Sequence, residues 1–372
     1  MKNALITHTK IITILHNVSI CCEFTEQDWE TAIRVLRHDG LLARTSFQLE
    51  KQGLVNNLPH YAQKHLSNAA KLAEKQQSSV VYECNQITKS TNKTSTKFYL
   101  LKGAAYVFCH NNTSLGRTFG DIDLLVDKSQ ISRIEGTLLL HGWLHDDLDD
   151  YDNTYYRQWA HEIPPLKHAS RGSVIDLHHN LVPPVSGRAP KIELFTENAI
   201  ACDDFYVLRP AAMTLHSIVH LFFNEEFPHG LRDLNDIHLL ITQYESDSFW
   251  QDIYTLATTS GFTVELYLAC RYSQRFFQTN IPEKITIKLE ETRTNRLSIL
   301  FWDFIFSRVL DTKHPMYATW TKSFAIFIAL VRGHYLKMPL PILIRHGLHK
   351  SYRELVRLFL GKSFFSKEET PR

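Results

Sequence analysis

The chain has 372 residues, 44% hydrophobic and 22% charged, with a formal net charge of +2. That length accommodates two or three domains with their own cores, and that composition is the one of an ordinary globular protein rather than a disordered or fibrous chain. A balance this near neutral excludes a strong overall field for nucleic acid. The six cysteines (Cys21, Cys22, Cys84, Cys109, Cys202, Cys270) lack Cys-x-x-Cys spacing, which suggests neither zinc nor a disulfide framework and fits reduced thiols in a cytoplasm. The twenty histidines are scattered. The apolar run Ile11 to Leu15 falls short of a signal-peptide core, and no stretch reaches the ~18 apolar residues of a membrane span. The expected location is cytoplasmic.

In chain order, Thr25 to about Thr88 reads as helical. Thr25 suits an N-cap, with Gln27, Asp28 and Glu30 in the first turn and Trp29, Ile33 and Leu36 at helical spacing. Tyr61 to Gln86 reads as one extended helix leading to the first strand. The run Lys89 to Thr96 reads as a polar loop, and a domain edge is placed there. The division expected is a helical region at 1–95, a core at 96–200 and a second helical domain at 201–372.

The stretch from Lys97 to Lys128 carries the chemistry. Phe98 to Leu101 is a short buried strand stopped by Lys102-Gly103; Ala104 to Cys109 suits a short helix, which Asn111-Asn112-Thr113-Ser114 breaks. A second strand runs from Asp121 to Val126. Side chains alternate along a strand, so Asp121 and Asp123 share one face about 6.6 Å apart, while Ile122 and Leu124 enter a core. Two carboxylates on one apolar strand are costly unless a positive charge sits between them. A divalent cation is the prime candidate, since Mg²⁺ takes carboxylate oxygens and keeps positions open for phosphates. The competing reading is a strand end at which both aspartates are hydrated or paired to an arginine.

Ser129 or Ser132 can open a helix through Leu140, closed by His141-Gly142. His145 to Asn153 is acidic and aromatic, the pattern of a solvated turn rather than a metal cage. Arg171-Gly172 makes a hairpin turn into a third strand, Ser173 to His178, where Asp176 faces away from Ile175 and Leu177 and can join Asp121 and Asp123.

From Ala201 the chain reads helical again, with Pro210 at a helix start and His216, His220 and Phe223 on one face. His216 and His220 have metal spacing, but aromatic neighbours favour core or groove histidines. Arg232, with Asp233 or Asp236, is expected to pair with them. Further helices are read at 249–258, 264–277 and 297–310, and Phe324 to Val331 as a buried helix. Pro339 to Lys362 is a basic amphipathic helix with a solvated face; weak contact with an anionic membrane surface is the alternative.

In the order Leu101-Lys102-Gly103, Arg117, then Asp121-Ile122-Asp123-Leu124-Leu125-Val126, the central stretch resembles the nucleotidyltransferase superfamily typified by DNA polymerase beta and the aminoglycoside nucleotidyltransferases. It is most similar to a bacterial family of uncharacterised nucleotidyltransferases, which also carries Asp28-Trp29-Glu30 and Asp176-Leu177-His178. The resemblance implies an α+β fold: a small mixed sheet of the polymerase-beta type flanked by N-terminal and C-terminal helical regions. It implies transfer of a nucleoside monophosphate from a triphosphate such as ATP to an acceptor hydroxyl of a small molecule, protein or RNA end.

Asp121, Asp123 and Asp176 are then the catalytic metal ligands for two Mg²⁺ ions, with Mn²⁺ as an alternative. Backbone N–H groups at Gly103 and Ala104 and the charges of Lys102 and Arg117 suit the triphosphate. Alanine at position 104 replaces the serine or glycine usual in the superfamily. A catalytically silent binding or antitoxin-type protein and an Asp-x-Asp glycosyltransferase are the competing readings. The first is disfavoured by the intact carboxylates, the second by the helical character of residues 25 to 88.

Overall fold

The computed structural model describes residues 8–94, 96–146, 150–291 and 296–360. Four helices precede the first strand: α1 (His8–Ile14), α2 (Glu26–His38), α3 (Leu42–Lys51) and α4 (His60–Thr91). At the start of α2, Thr25 Oγ1 accepts from the Asp28 N–H while Asp28 Oδ2 accepts from the Thr25 N–H, a reciprocal cap worth about 1 kcal/mol.

The 32 residues of α4 extend about 48 Å and bury Ala62, Leu66, Ala73, Val80, Cys84 and Ile87. The polar loop expected from Lys89 instead begins with a 3₁₀ turn at Asn92–Thr94. The helix runs on through Thr88, Ser90 and Thr91, whose hydroxyls turn back onto carbonyls three or four residues earlier.

The fold is α+β. Seven strands form one mixed sheet: β1 (Tyr99–Leu100), β2 (Ile122–Leu125), β3 (Trp143–His145), β4 (Leu166–His168), β5 (Val174–His178), β6 (Ile200–Cys202) and β7 (Phe205–Val207), in the order β3-β4-β5-β2-β1-β7-β6. β2 is antiparallel to β1 and parallel to β5. Between strands lie α5 (Lys102–Phe108), α6 (Ile131–Leu140), α7 (Asp150–Gln158) and α8 (Glu193–Thr196). α7 takes part of the segment read as a solvated acidic turn; residues 147–149 of that segment lie outside the described residues. α4 lies against α5 and α6, and its buried Glu83 is tied to the β4–β5 hairpin by Arg171 Nε (2.7 Å) and Ser173 Oγ (2.8 Å).

The C-terminal helices are α9 (Pro210–Phe223), α10 (Gly230–Tyr244), α11 (Asp247–Ser260), α12 (Thr263–Phe277), α13 (Glu283–Glu290), α14 (Arg296–Val309), α15 (Trp320–Lys337) and α16 (Leu340–Leu360). α9 is their hub, packed against α5, α10, α11, α12 and α15. α15 corrects an expectation: its apolar centre is not buried. Phe324, Phe327 and Val331 are 44%, 58% and 50% exposed, and the inward side carries Lys322, Ala325, Ala329 and Gly333. The crossing demands small residues there, since a Cβ on Gly333 would lie 2.4 Å from Glu225 Cα. No helix among the described residues is long and apolar enough to cross a membrane. The basic α16 is described to Leu360; Lys362 lies outside the described residues.

One buried carboxylate joins three parts of the chain. Asp236 on α10 accepts from Arg44 Nη2 of α3 through Oδ1 and from Arg117 Nε, ahead of β2, through Oδ2, both at 2.7 Å. Arg44 also donates to Asn235 Oδ1 (2.7 Å) and Thr113 O (2.8 Å), and Arg117 to Thr118 O (2.7 Å). The pairing expected between Asp236 and the α9 histidines is thus replaced by two arginines, and Arg232 pairs with its neighbour Asp233. Burial alone would raise the Asp236 pKa; Arg117 and Arg44 outweigh it and hold the carboxylate below its usual range. Gly116, at φ +67°, lets the loop approach so closely that a Cβ would lie 2.3 Å from Arg44 N.

Removing the shared acceptor strands two buried guanidinium groups. Asp236→Ala is therefore expected to lower unfolding free energy by about 3–5 kcal/mol, read from urea denaturation.

Candidate active site

The site begins with strand register. β2 and β5 pair Ile122 with Ile175, Asp123 with Asp176 and Leu124 with Leu177. Partners in a ladder project to the same face, so the two aspartates emerge side by side while the aliphatic residues enter the core. Asp121, two residues before Asp123, shares that face.

The electrostatics agree. Burial first, and then the charges of Asp123, Glu162 and Asp121, push the Asp176 carboxyl up to about 8. The Asp121 pKa is raised mainly by the charge of Asp123 and then by burial. Asp123 goes the other way: burial would raise it, but Lys102 and His178 hold it well below the carboxylate range.

Lys102 Nζ stands 2.6 Å and His178 Nε2 3.0 Å from the same oxygen, Asp123 Oδ1. Lys102 has φ +44°, a left-handed conformation that costs a non-glycine residue about 1–3 kcal/mol and is characteristic of functional sites. His178 Nδ1 in turn lies 3.2 Å from Glu162 Oε2.

A cavity of about 340 Å³ opens onto this cluster, with Lys102, Gly103, Asp121 and Asp123 on the sheet side and His220, Asn224, His229, Arg232 and Asp233 opposite. Of the remaining residues read from the sequence, Arg117 lines the cavity, but its guanidinium is engaged by Asp236 and Thr118 O. Ala104 is buried in α5 and is not among the lining residues. Asp176 is not among the lining residues. Gly103 lies under the Phe119 ring, which a Cβ would approach to 2.6 Å. Burial, with the nearby Lys102 charge, lowers the His216 pKa to about 3 and that of His220 well below the usual range, so both imidazoles are neutral.

Glu162 and His178 were not assigned roles from the sequence. His178 had a signal, because it is two residues beyond Asp176 on one strand and must share its face. Glu162 had none, since it reaches the site through a single bridge pairing with His178.

The donor set fits a hard divalent cation. For want of positive charge the Asp121 and Asp176 carboxyls have raised proton affinity, and the polar contacts on the Asp123 carboxylate fall on Oδ1, leaving Oδ2 as a donor. Oxygen ligands converging from three carboxyls are what Mg²⁺ and Mn²⁺ prefer.

A family model described as "Uncharacterised nucleotidyltransferase" matches residues 25–278, a span that includes α2 to α12 and the whole sheet. No curated protein and no solved structure matches the chain.

The raised Asp176 pKa fixes a pH dependence. The folded carboxyl keeps its proton up to about pH 8, whereas the unfolded chain releases it near about pH 4. Between those values the folded state binds the extra proton, so this group's contribution to stability is lost as pH rises through the window and is level above it. A divalent cation needs the bare carboxylate. Added Mg²⁺ or Mn²⁺ is therefore expected to raise the melting temperature more at about pH 9 than at about pH 6, and Asp176→Asn to abolish that difference in thermal-shift measurements.

Proposed function

We propose a reaction for this chain, which belongs to the family of uncharacterised nucleotidyltransferases: it transfers a nucleoside monophosphate from a nucleoside triphosphate to an acceptor hydroxyl and releases pyrophosphate. The observation that carries this reading is the meeting of Asp121, Asp123 and Asp176 on one face of β2 and β5, beside a lysine and a cavity.

The residues would divide the work as follows. Asp121, Asp123 and Asp176 would hold a divalent cation, Mg²⁺ or Mn²⁺, whose chemistry is to neutralise triphosphate charge and make the attacking hydroxyl more acidic. Lys102 brings an ammonium group to the cavity wall and Arg232 a guanidinium group, cations suited to phosphate oxygens. Gly103, covered by the Phe119 ring, lies at the beginning of α5, where the first N–H groups have no helical partner. Asp176, a bare carboxylate once the cation is held, could also accept the acceptor's proton. Arg117 acts as a positioning residue: bonded to Asp236, it fixes the loop that leads into Asp121. His178 holds Asp123 in place from β5.

A cavity of this size is within the range of small-molecule sites, with room for a nucleotide and an acceptor hydroxyl carried by a small molecule, a protein side chain or an RNA end. A glycosyltransferase reading would need alternating strands and helices ahead of β1, where the chain has α1 to α4.

The decisive assay incubates the protein with each labelled nucleoside triphosphate and Mg²⁺ or Mn²⁺, and follows pyrophosphate release and label transfer. Asp123→Asn is expected to reduce the rate at least ~10²-fold in a chain whose circular dichroism still shows the native helical content. A chain that binds a triphosphate yet releases no pyrophosphate with any acceptor tested would overturn the reading in favour of a silent, binding member of the family.

A further inference from the structure

Next to the acidic cluster, the segment His161 to Ile163 runs antiparallel to the end of β5. The Ile163 N–H donates to Leu177 O (3.1 Å), the His179 N–H donates to His161 O (2.8 Å), and Glu162 faces His178 across the bridge. Glu162 Oε2 is 3.2 Å from His178 Nδ1 and 3.9 Å from His161 Nε2, and the two imidazole rings are 5.3 Å apart. One nitrogen from each ring and one carboxylate oxygen lie within 4.8 Å of one another.

Two features distinguish this group from a simple hydrogen-bonded pair. The first is orientation. His178 Nε2 lies 3.0 Å from Asp123 Oδ1, the outer-carboxylate arrangement that fixes metal-binding imidazoles, and its Nδ1 is turned to Glu162. A proton between His178 and Glu162 would satisfy those two residues, but it would leave His161 out. The second feature is therefore His161 itself. Its Nδ1 is buried with no hydrogen-bond partner, and its Nε2 is beyond hydrogen-bond range of Glu162. Ligands about 2.0–2.1 Å from a tetrahedral ion stand about 3.4 Å apart, so the two separations from Glu162 Oε2, 3.2 and 3.9 Å, need an adjustment of up to about half an ångström.

We propose that His161, Glu162 and His178 form a second cation site, of two imidazoles and one carboxylate, for a transition-metal dication of the Zn²⁺ class. Nitrogen donors separate it from the all-oxygen set of Asp121, Asp123 and Asp176, which suits Mg²⁺. An ion there ties the His161–Ile163 segment to the end of β5 and fixes the imidazole that grips Asp123. The proposal stands independently of nucleotidyl transfer.

The test loads the full chain with Zn²⁺ in the presence of excess Mg²⁺, measures metal retained per chain after gel filtration, and records visible absorption after Co²⁺ substitution. One tightly held ion and the intense absorption of a four-coordinate cobalt site are expected. His161→Ala and Glu162→Gln are expected to lower Zn²⁺ affinity by more than the ~10- to 100-fold typical for loss of an outer-shell partner, while Asp121→Asn retains it. His161→Gln serves if the alanine variant does not fold. Zinc displaced by Mg²⁺, or binding unchanged in the His161 and Glu162 variants, would overturn the site. Neither result would alter the pyrophosphate assay, so the two readings fail separately.

Discussion

Parallel pairing of β2 with β5 sets Asp123 beside Asp176, and a slip of one residue would turn Asp176 to the reverse face of the sheet. The aliphatic partners enforce the register: Ile122, Leu124, Ile175 and Leu177 are all 0–3% exposed, so any slip would carry a row of them out of the core. At about 1.5–3 kcal/mol for each fully buried side chain, that row outweighs the electrostatic cost of crowding the carboxylates. Hydrophobic packing thus holds together charges that would otherwise separate. Glu83 of α4 reinforces the arrangement by anchoring Arg171 and Ser173 at the entry to β5.

The chain contains two acidic environments of opposite character. Asp236 has two arginines for one carboxylate, and its pKa is lowered despite burial. At the mouth of the sheet, Asp121, Asp123, Asp176 and Glu162 share Lys102 and His178, and the deficit appears as raised pKa values on Asp121 and Asp176. Balanced charge therefore yields a satisfied structural bridge in one place, and unbalanced charge a cluster of raised proton affinity in the other. That imbalance is the physical mark of a place for a cation, and it is visible in the protein atoms alone.

The acidic cluster was readable in the sequence because strand alternation has a period of two and the aliphatic residues between the aspartates declare which face is inward. Asp121, Asp123 and Asp176 follow from that rule. Helix α2 was announced by Thr25 and Asp28, and α9 by Pro210. What escaped depends on contacts between distant segments. Arg117 reads as a phosphate ligand from its position near the aspartates, yet its partner Asp236 is 119 residues away. Phe324 to Val331 reads as buried by composition, but the tight crossing at Gly333 turns its small residues inward and its large ones out. Polar Lys89 and Ser90 read as loop, although a serine that bonds back to its own helix is no obstacle to one.

The sheet cannot hold this site unaided. Its strands are two to five residues long, with β1 only Tyr99 and Leu100, so the strands alone bury too little to pay for ordering the backbone. The missing burial comes from helices on either side: α4 against α5 and α6, and α9, which buries 12 of its 14 residues beneath the cavity. Since α9 also carries His220 to the cavity wall and α10 carries Asp236 to Arg117, the elements that stabilise the sheet are those that complete the site. Loosening the C-terminal helices should therefore disturb the loop before Asp121 before it disturbs β2 itself. Arg117 is the link between them, and its carboxylate partner sits on α10 rather than on the sheet.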